Sequence, residues 1–309
     1  MASRTPLNAR NLEALGAGRL AELLIDISTG SAASKRRLRL ELAGSQGSRE
    51  VAAEVRKRLA SIARARTRID WRKVKAFSKD LDTQRTTIVE TVAPQDPAEA
   101  FELIWQFLAL GDSVFARSDD GSGSLIGSFH QACTDAGMIA KTAPVNTDVL
   151  ADKIFAALRD NVYGQYDRLI AAMVPALGKD GLEQLKALFE QWASEPSENP
   201  AEHNRQVIGW SSNGPVYEDE IYGNHRELTV RIAMQEIADA LGDVDAYIAQ
   251  QPEASRKAPM VAADIAGRLL AAGRADEALL ALDRVDTRGR SDVPIEWQLA
   301  RVKVLEALL

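Results

Sequence analysis

Cysteine is almost missing. Cys133 is the only one in 309 residues, so the chain cannot close an intramolecular disulfide, and a reducing, cytoplasmic compartment fits best. Histidine occurs three times, but only His130 lies near the single thiol in sequence, His203 and His225 falling in or beside a long irregular stretch, and no second Cys exists, so a structural zinc site is not expected. Aromatic residues make up only 6% of the chain, and Ala and Leu dominate the apolar set, which favours helices over sheets. No window approaches the roughly twenty apolar residues needed to span a bilayer. The N-terminal stretch lacks an apolar run and carries Glu13, Glu22 and Asp26, so it reads as neither a secretory signal nor a transit peptide. A soluble protein with no membrane partner is expected. Nucleotide-binding glycine loops are also missing, and Gly121-Ser122-Gly123-Ser124 lacks the spacing of a nucleophile elbow. No catalytic residue, cofactor or resident metal is therefore assigned.

What is present in excess is positive charge in one place. Residues 35–79 hold fifteen Lys and Arg against four Asp and Glu, a net +11 in a chain whose total is −6, so the remainder carries −17. Such segregation attracts either phosphates or the acidic remainder of the chain, and the ten arginines suit both equally.

Helical periodicity runs through most of the chain. Val51, Val55, Leu59, Ile62 and Ile69 fall on one narrow face, and Arg49, Arg56, Lys57, Arg58, Arg64 and Arg68 occupy the rest. Asp70 reads as an N-cap for a short helix with Trp71, Val74 and Phe77 inward and Lys73 and Lys75 outward, which keeps both rings away from bases. A further helix is expected from about 82 to 92, and Asp96-Pro97 with Glu99 forms a capping-box start. Periodicity disappears from Ser194 to Asn224, and a loop that long tends to be functional or mobile. These breaks divide the chain into residues 1–93 with the basic helices, 94–193, the irregular 194–224, and the hairpins of 225–309.

Gly111, Gly178, Gly242 and Gly273 lie 67, 64 and 31 residues apart, close to two, two and one steps of a period in the low thirties. Stacked helical hairpins repeat at that step, although glycine also ends helices singly. The last helix ends in Glu306-Ala307-Leu308-Leu309 without a polar cap, so either further chain or another subunit is expected to cover it. The stretch AAGRADEALLALDRVD, 271–286, resembles a tetratricopeptide hairpin. Together with SKRRLRLELAG, IDWRKVKAFSKDLDTQRTTI and IADALGDVDAYIAQQ, it is similar to a bacterial family, mainly alpha-proteobacterial, that is a domain of unknown function. The resemblance covers most of the chain. It implies a helical fold and carries no functional residues.

The expectation is an all-α, tetratricopeptide-like array acting as a non-catalytic scaffold for a protein or peptide partner. The candidate surface is Trp210, Tyr217, Glu218, Tyr222 and His225, aromatics around an acidic run. The alternative is a nucleic-acid-associated protein using Arg49, Arg56, Lys57, Arg58, Arg64, Arg68, Lys73 and Lys75 as phosphate contacts. A hydrolase with a site near 210–225 ranks third, with no motif behind it. His130 and Cys133, at i and i+3, share a helix face but lack further metal ligands, and Asp239, Asp243 and Asp245 read as ordinary acids at a helix start. Homo-oligomerisation is compatible with each reading.

Overall fold

The computed structural model describes residues 6–196, 207–211, 214–217, 225–285 and 293–309. The fold is all-α, with one two-stranded hairpin, and its helices group into two compact units. No helix among the described residues is long and apolar enough to cross a membrane.

The first unit comprises residues up to 144 together with 162–166. It contains α1 (Ala9–Glu13), α2 (Ala17–Ser28), α3 (Ala32–Gly44), α4 (Ser48–Arg64), α5 (Trp71–Thr87), α6 (Pro97–Leu108), α7 (Gly111–Phe115) and α8 (Ser124–Ala140). The apolar stripe of α4 is buried as its spacing predicts, against α6 and the end of α5. The Asp70 and Asp96 carboxylates accept from the backbone N–H of Arg72 and Glu99, satisfying donors that the first helical turn leaves open. Phe107 and Phe115 both pack on Phe129 of α8, with ring centres 5.3 and 5.2 Å away.

Three local expectations change. The helix expected at 82–92 is not separate: α5 runs unbroken to Thr87 and continues as a π-helical turn, Ile88–Val92. Ile69 is buried, yet not as part of α4, which ends at Arg64; its N–H instead donates to the Arg117 carbonyl at 2.8 Å in a short bridge. Trp71 does not pack inward. It occupies the first turn of α5 and is 68% exposed, with the Arg72 guanidinium 5.2 Å from its ring centre.

The second unit comprises residues 145–161 and 167–309. Here α9 (Thr147–Arg159) packs on α10 (Leu169–Ser194), and α10 on α11 (His225–Leu241). There follow α12 (Val244–Ala249), α13 (Pro259–Ala271), α14 (Ala275–Asp283) and α15 (Ile295–Ala307). Their core joins Tyr247, Ile265, Leu269, Leu282 and Val304. Strands β1 (Val207–Ser211) and β2 (Gly214–Tyr217) pair antiparallel inside the stretch that lacks helical periodicity.

Gly242 and Gly273 adopt left-handed φ of 71° and 75°, as helix-ending turns require, and Gly178, at φ 59° and ψ −168°, breaks α10 into two helical runs joined at a kink. Gly111 is different. It opens α7, and a Cβ there would lie 2.8 Å from the Gln165 side chain, so close packing selects it and the first step of the apparent period joins unlike features.

Candidate functional site

The basic helices are the most distinctive surface, and neighbouring carboxylates decide what they offer. Asp80 of α5 accepts from Arg58 of α4, with Arg58 Nε at 3.0 Å from its Oδ2, and from Arg36 Nη2 of α3 at 3.3 Å. Arg56 pairs with Glu99 of α6, and the Asp96 N–H that the reciprocal half of a capping box would offer Glu99 donates instead to the Val92 carbonyl at 2.9 Å. Lys57 reaches Glu54 at 3.5 Å. Arg56, Lys57 and Arg58 are thus already neutralised inside the first unit. Deeper in, the Arg85 guanidinium pairs with the buried Asp135, whose other oxygen accepts from Gln131 Nε2 at 3.2 Å.

Arg49, Arg64, Arg68, Lys73 and Lys75 behave oppositely. They are exposed and make no ion pair among the described residues, as do Arg66 and Arg72. Arg117 fixes the corner between the two helices by donating to the Ile62 carbonyl at 3.3 Å and the Thr67 carbonyl at 3.2 Å. Burial, and then the nearby Arg58 charge, hold its pKa below the usual arginine value. The corner therefore presents a row of uncompensated cations beside the exposed Trp71 ring.

The second candidate surface is only partly described. Trp210 lies exposed on β1 opposite Pro215, and Tyr217 ends β2 in register with Val207. His225 opens α11 half-buried, its Nε2 without a hydrogen-bond partner among the described residues. Glu218 and Tyr222 lie outside the described residues. His130 and Cys133 turn out to share a structural task. The His130 Nε2–H donates to the Gly164 carbonyl at 2.9 Å and the Cys133 thiol to the Gln165 carbonyl at 3.5 Å, tying 162–166 to α8. In the Gly121–Ser124 loop, Asp120 accepts from the backbone N–H of Leu125 at 3.1 Å and of Ile126 at 2.8 Å, so that loop caps α8.

At the Gly242 turn, each acid has its own partner. Asp243 caps α12 by accepting from Ala246 N, Asp239 takes both forks of Arg268 at 2.6 and 3.1 Å, and Asp245 pairs with Arg274 at 2.9 Å. Arg268 also lies over the Tyr247 ring, 3.9 Å from its centre. Glu236 of α11 has no such cation. Burial first, then Asp167 and Asp239, push its pKa up to about 7.

Asp80, Glu99 and Asp135 had no sequence signal as determinants of this surface. The arginines that Asp80, Glu99 and Asp135 hold stand on other helices, 22 to 50 residues away in the chain.

Neither the curated proteins nor the solved structures contain a match to this chain. A family model does match it, over residues 2–309, and its description is a family of unknown function, DUF6880. Near-complete coverage makes the assignment plain: the chain belongs to the DUF6880 family.

Proposed function

We propose that this protein is a non-catalytic interaction module that receives an amphipathic helix of a protein partner against α15. The observation carrying this reading is the apolar character of α15 on two opposite sides. Val304 is fully buried toward α13 and α14, whereas Ile295, Leu299, Val302 and Leu305 are 59%, 53%, 51% and 45% exposed. At 100° per residue those four occupy an arc of about 120° facing away from Val304. A helix that is apolar on two sides is suited to two layers of packing, and only one is supplied by the described residues. The hairpin of α13 and α14, with its tetratricopeptide-like AGRADEAL turn, supports a helical-repeat surface of the kind that accepts such partners. A reducing, cytoplasmic setting suits the lone buried Cys133.

The test is proximity labelling in a native host with the wild-type chain and with Leu299→Glu/Val302→Glu. The exposed positions predict an unchanged Tm for the variant. A partner recovered by the wild type and lost from the variant supports the reading, while identical recovered sets for both chains contradict it. Light scattering of the purified wild type shows whether that partner is a second copy.

A second reading has its own observation. The exposed Trp71 ring has the Arg72 guanidinium 5.2 Å from its centre, with the exposed Arg68, Lys73 and Lys75 within four residues in the chain, the combination of aromatic ring and cations that single-stranded nucleic acids use. Fluorescence anisotropy with a labelled 20-nucleotide single strand at about 150 mM salt tests it. Loss of binding in Trp71→Ala and in Arg68→Glu/Lys73→Glu supports this reading, and absence of binding by the wild type removes it.

A further inference from the structure

The apolar strip of α15 is flanked by charges in a pattern that complements itself. Ile295, Leu299 and Val302 are spaced by four and then three residues, the alternation that keeps one line of side chains facing a neighbouring helix. At 100° per residue they fall within an arc of about 60°, and Leu305 widens the strip on one flank. Glu296 and Lys303 stand together on the other flank, one heptad apart. Both side chains are exposed, and neither has an ion-pair or hydrogen-bond partner among the described residues.

An acid near the start of a helix and a base two turns later are complementary to the same helix reversed. When two copies of α15 run antiparallel with Leu299 of each against Val302 of the other, Glu296 of one copy lies about 3 Å along the axis from Lys303 of the other, at about 1.5 Å rise per residue. The two-fold axis repeats that pair. A parallel pairing in register sets Glu296 level with Glu296 and Lys303 level with Lys303, so it gains neither pair. Flanking charges set the partner and orientation of paired helices, and here they select a second copy in the antiparallel sense. In this register Glu306, the one charge on the apolar line, comes opposite Ile295 at the outer ends of the seam, where its exposed carboxylate stays in water. Val304 keeps its place against α13 and α14, so the pairing asks for no rearrangement of the unit.

We infer that α15 is a self-association face: two copies of this chain pair their α15 helices antiparallel, with Leu299 and Val302 at the centre and a Glu296–Lys303 pair toward each end. The inference rests on the docking role proposed for α15 and names its occupant. One pair of four-turn helices buries less than a standard interface, so a dimer forming at about 10–100 μM is expected.

The experiment is sedimentation equilibrium of the full chain from about 5 to 500 μM, for the wild type, Glu296→Lys, Lys303→Glu and the exchange Glu296→Lys/Lys303→Glu. The wild type and the exchange variant should dimerise alike, since reversing both charges rebuilds each pair. Each single variant sets like charges together at both ends and should dimerise about tenfold more weakly or less. An equimolar mixture of the two single variants should recover the wild-type dimer, because each supplies the charge that the other lacks, and that recovery also shows both to be folded. Single variants that weaken the dimer without recovery on mixing overturn the pairing. A dimer lost in Leu299→Glu/Val302→Glu but indifferent to both charge reversals keeps α15 as the docking face and overturns the antiparallel register. A wild type that stays monomeric to about 500 μM, or a dimer indifferent to all these variants, overturns the inference, and the docking role of α15 then rests on the labelling experiment alone.

Discussion

Arg36 of α3 and Arg56 and Arg58 in the middle of α4 are held against Asp80 and Glu99; from Arg64 to Lys75, the same residue types make no ion pair among the described residues. Composition does not separate these two regions. What differs is the neighbouring helix: α5 and α6 carry a carboxylate that pairs with Arg36, Arg56 and Arg58, and no carboxylate among the described residues pairs with the cations of the corner that follows α4. The charge excess of residues 35–79 is therefore two surfaces. One is folded into the unit, and the other faces solvent with an aromatic ring among its cations.

The contrast between compensated and uncompensated charge is open to direct attack. The largest expected effect is at the most buried pair, Arg85 with Asp135. Asp135→Ala leaves the guanidinium uncompensated in the interior and should cost about 3–5 kcal/mol in urea denaturation. Asp80→Ala removes the shared acceptor of two partly exposed arginines, and a smaller loss of about 1–3 kcal/mol is expected by the same measurement.

Glu236 tests the converse, a half-buried acid with no cation. Because its folded pKa is raised from 4.5 to about 7, the folded state binds the proton more tightly than the unfolded state. Stability should fall as pH rises between about 4.5 and 7 and level off above. Glu236→Gln removes that dependence. A gain of about 1–2 kcal/mol at pH 8, discounted for partial exposure, and little change at pH 4 are expected from thermal melts at the two pH values.

Local spacing made much of the fold legible. The buried face of α4, the Asp70 and Asp96 caps, and the turns at Gly178, Gly242 and Gly273 all follow from interactions within a few residues of the chain. The failures are equally physical. Helical phase placed Trp71 inward with Val74, but phase describes a helix and not its surroundings, and the core that buries Val74 leaves Trp71 68% exposed at the start of α5. The β1–β2 hairpin is short, and its one sequence signal, the Asn213-Gly214 pair, stands within a stretch that is otherwise irregular. Asp80 carries no local signal, because its role rests on Arg36 and Arg58 of other helices. Gly111 matched the spacing of the other glycines while obeying a different constraint, the approach of Gln165.

The division of the basic segment is tested most directly by one matched pair of substitutions on a single helix, Arg58→Ala and Arg64→Ala in α4, each followed by urea denaturation. Arg58 is held by Asp80, so its loss should lower stability by about 1–3 kcal/mol, whereas loss of the solvent-facing Arg64 should stay within about 0.5 kcal/mol of wild type. Equal values for the two variants would contradict the division.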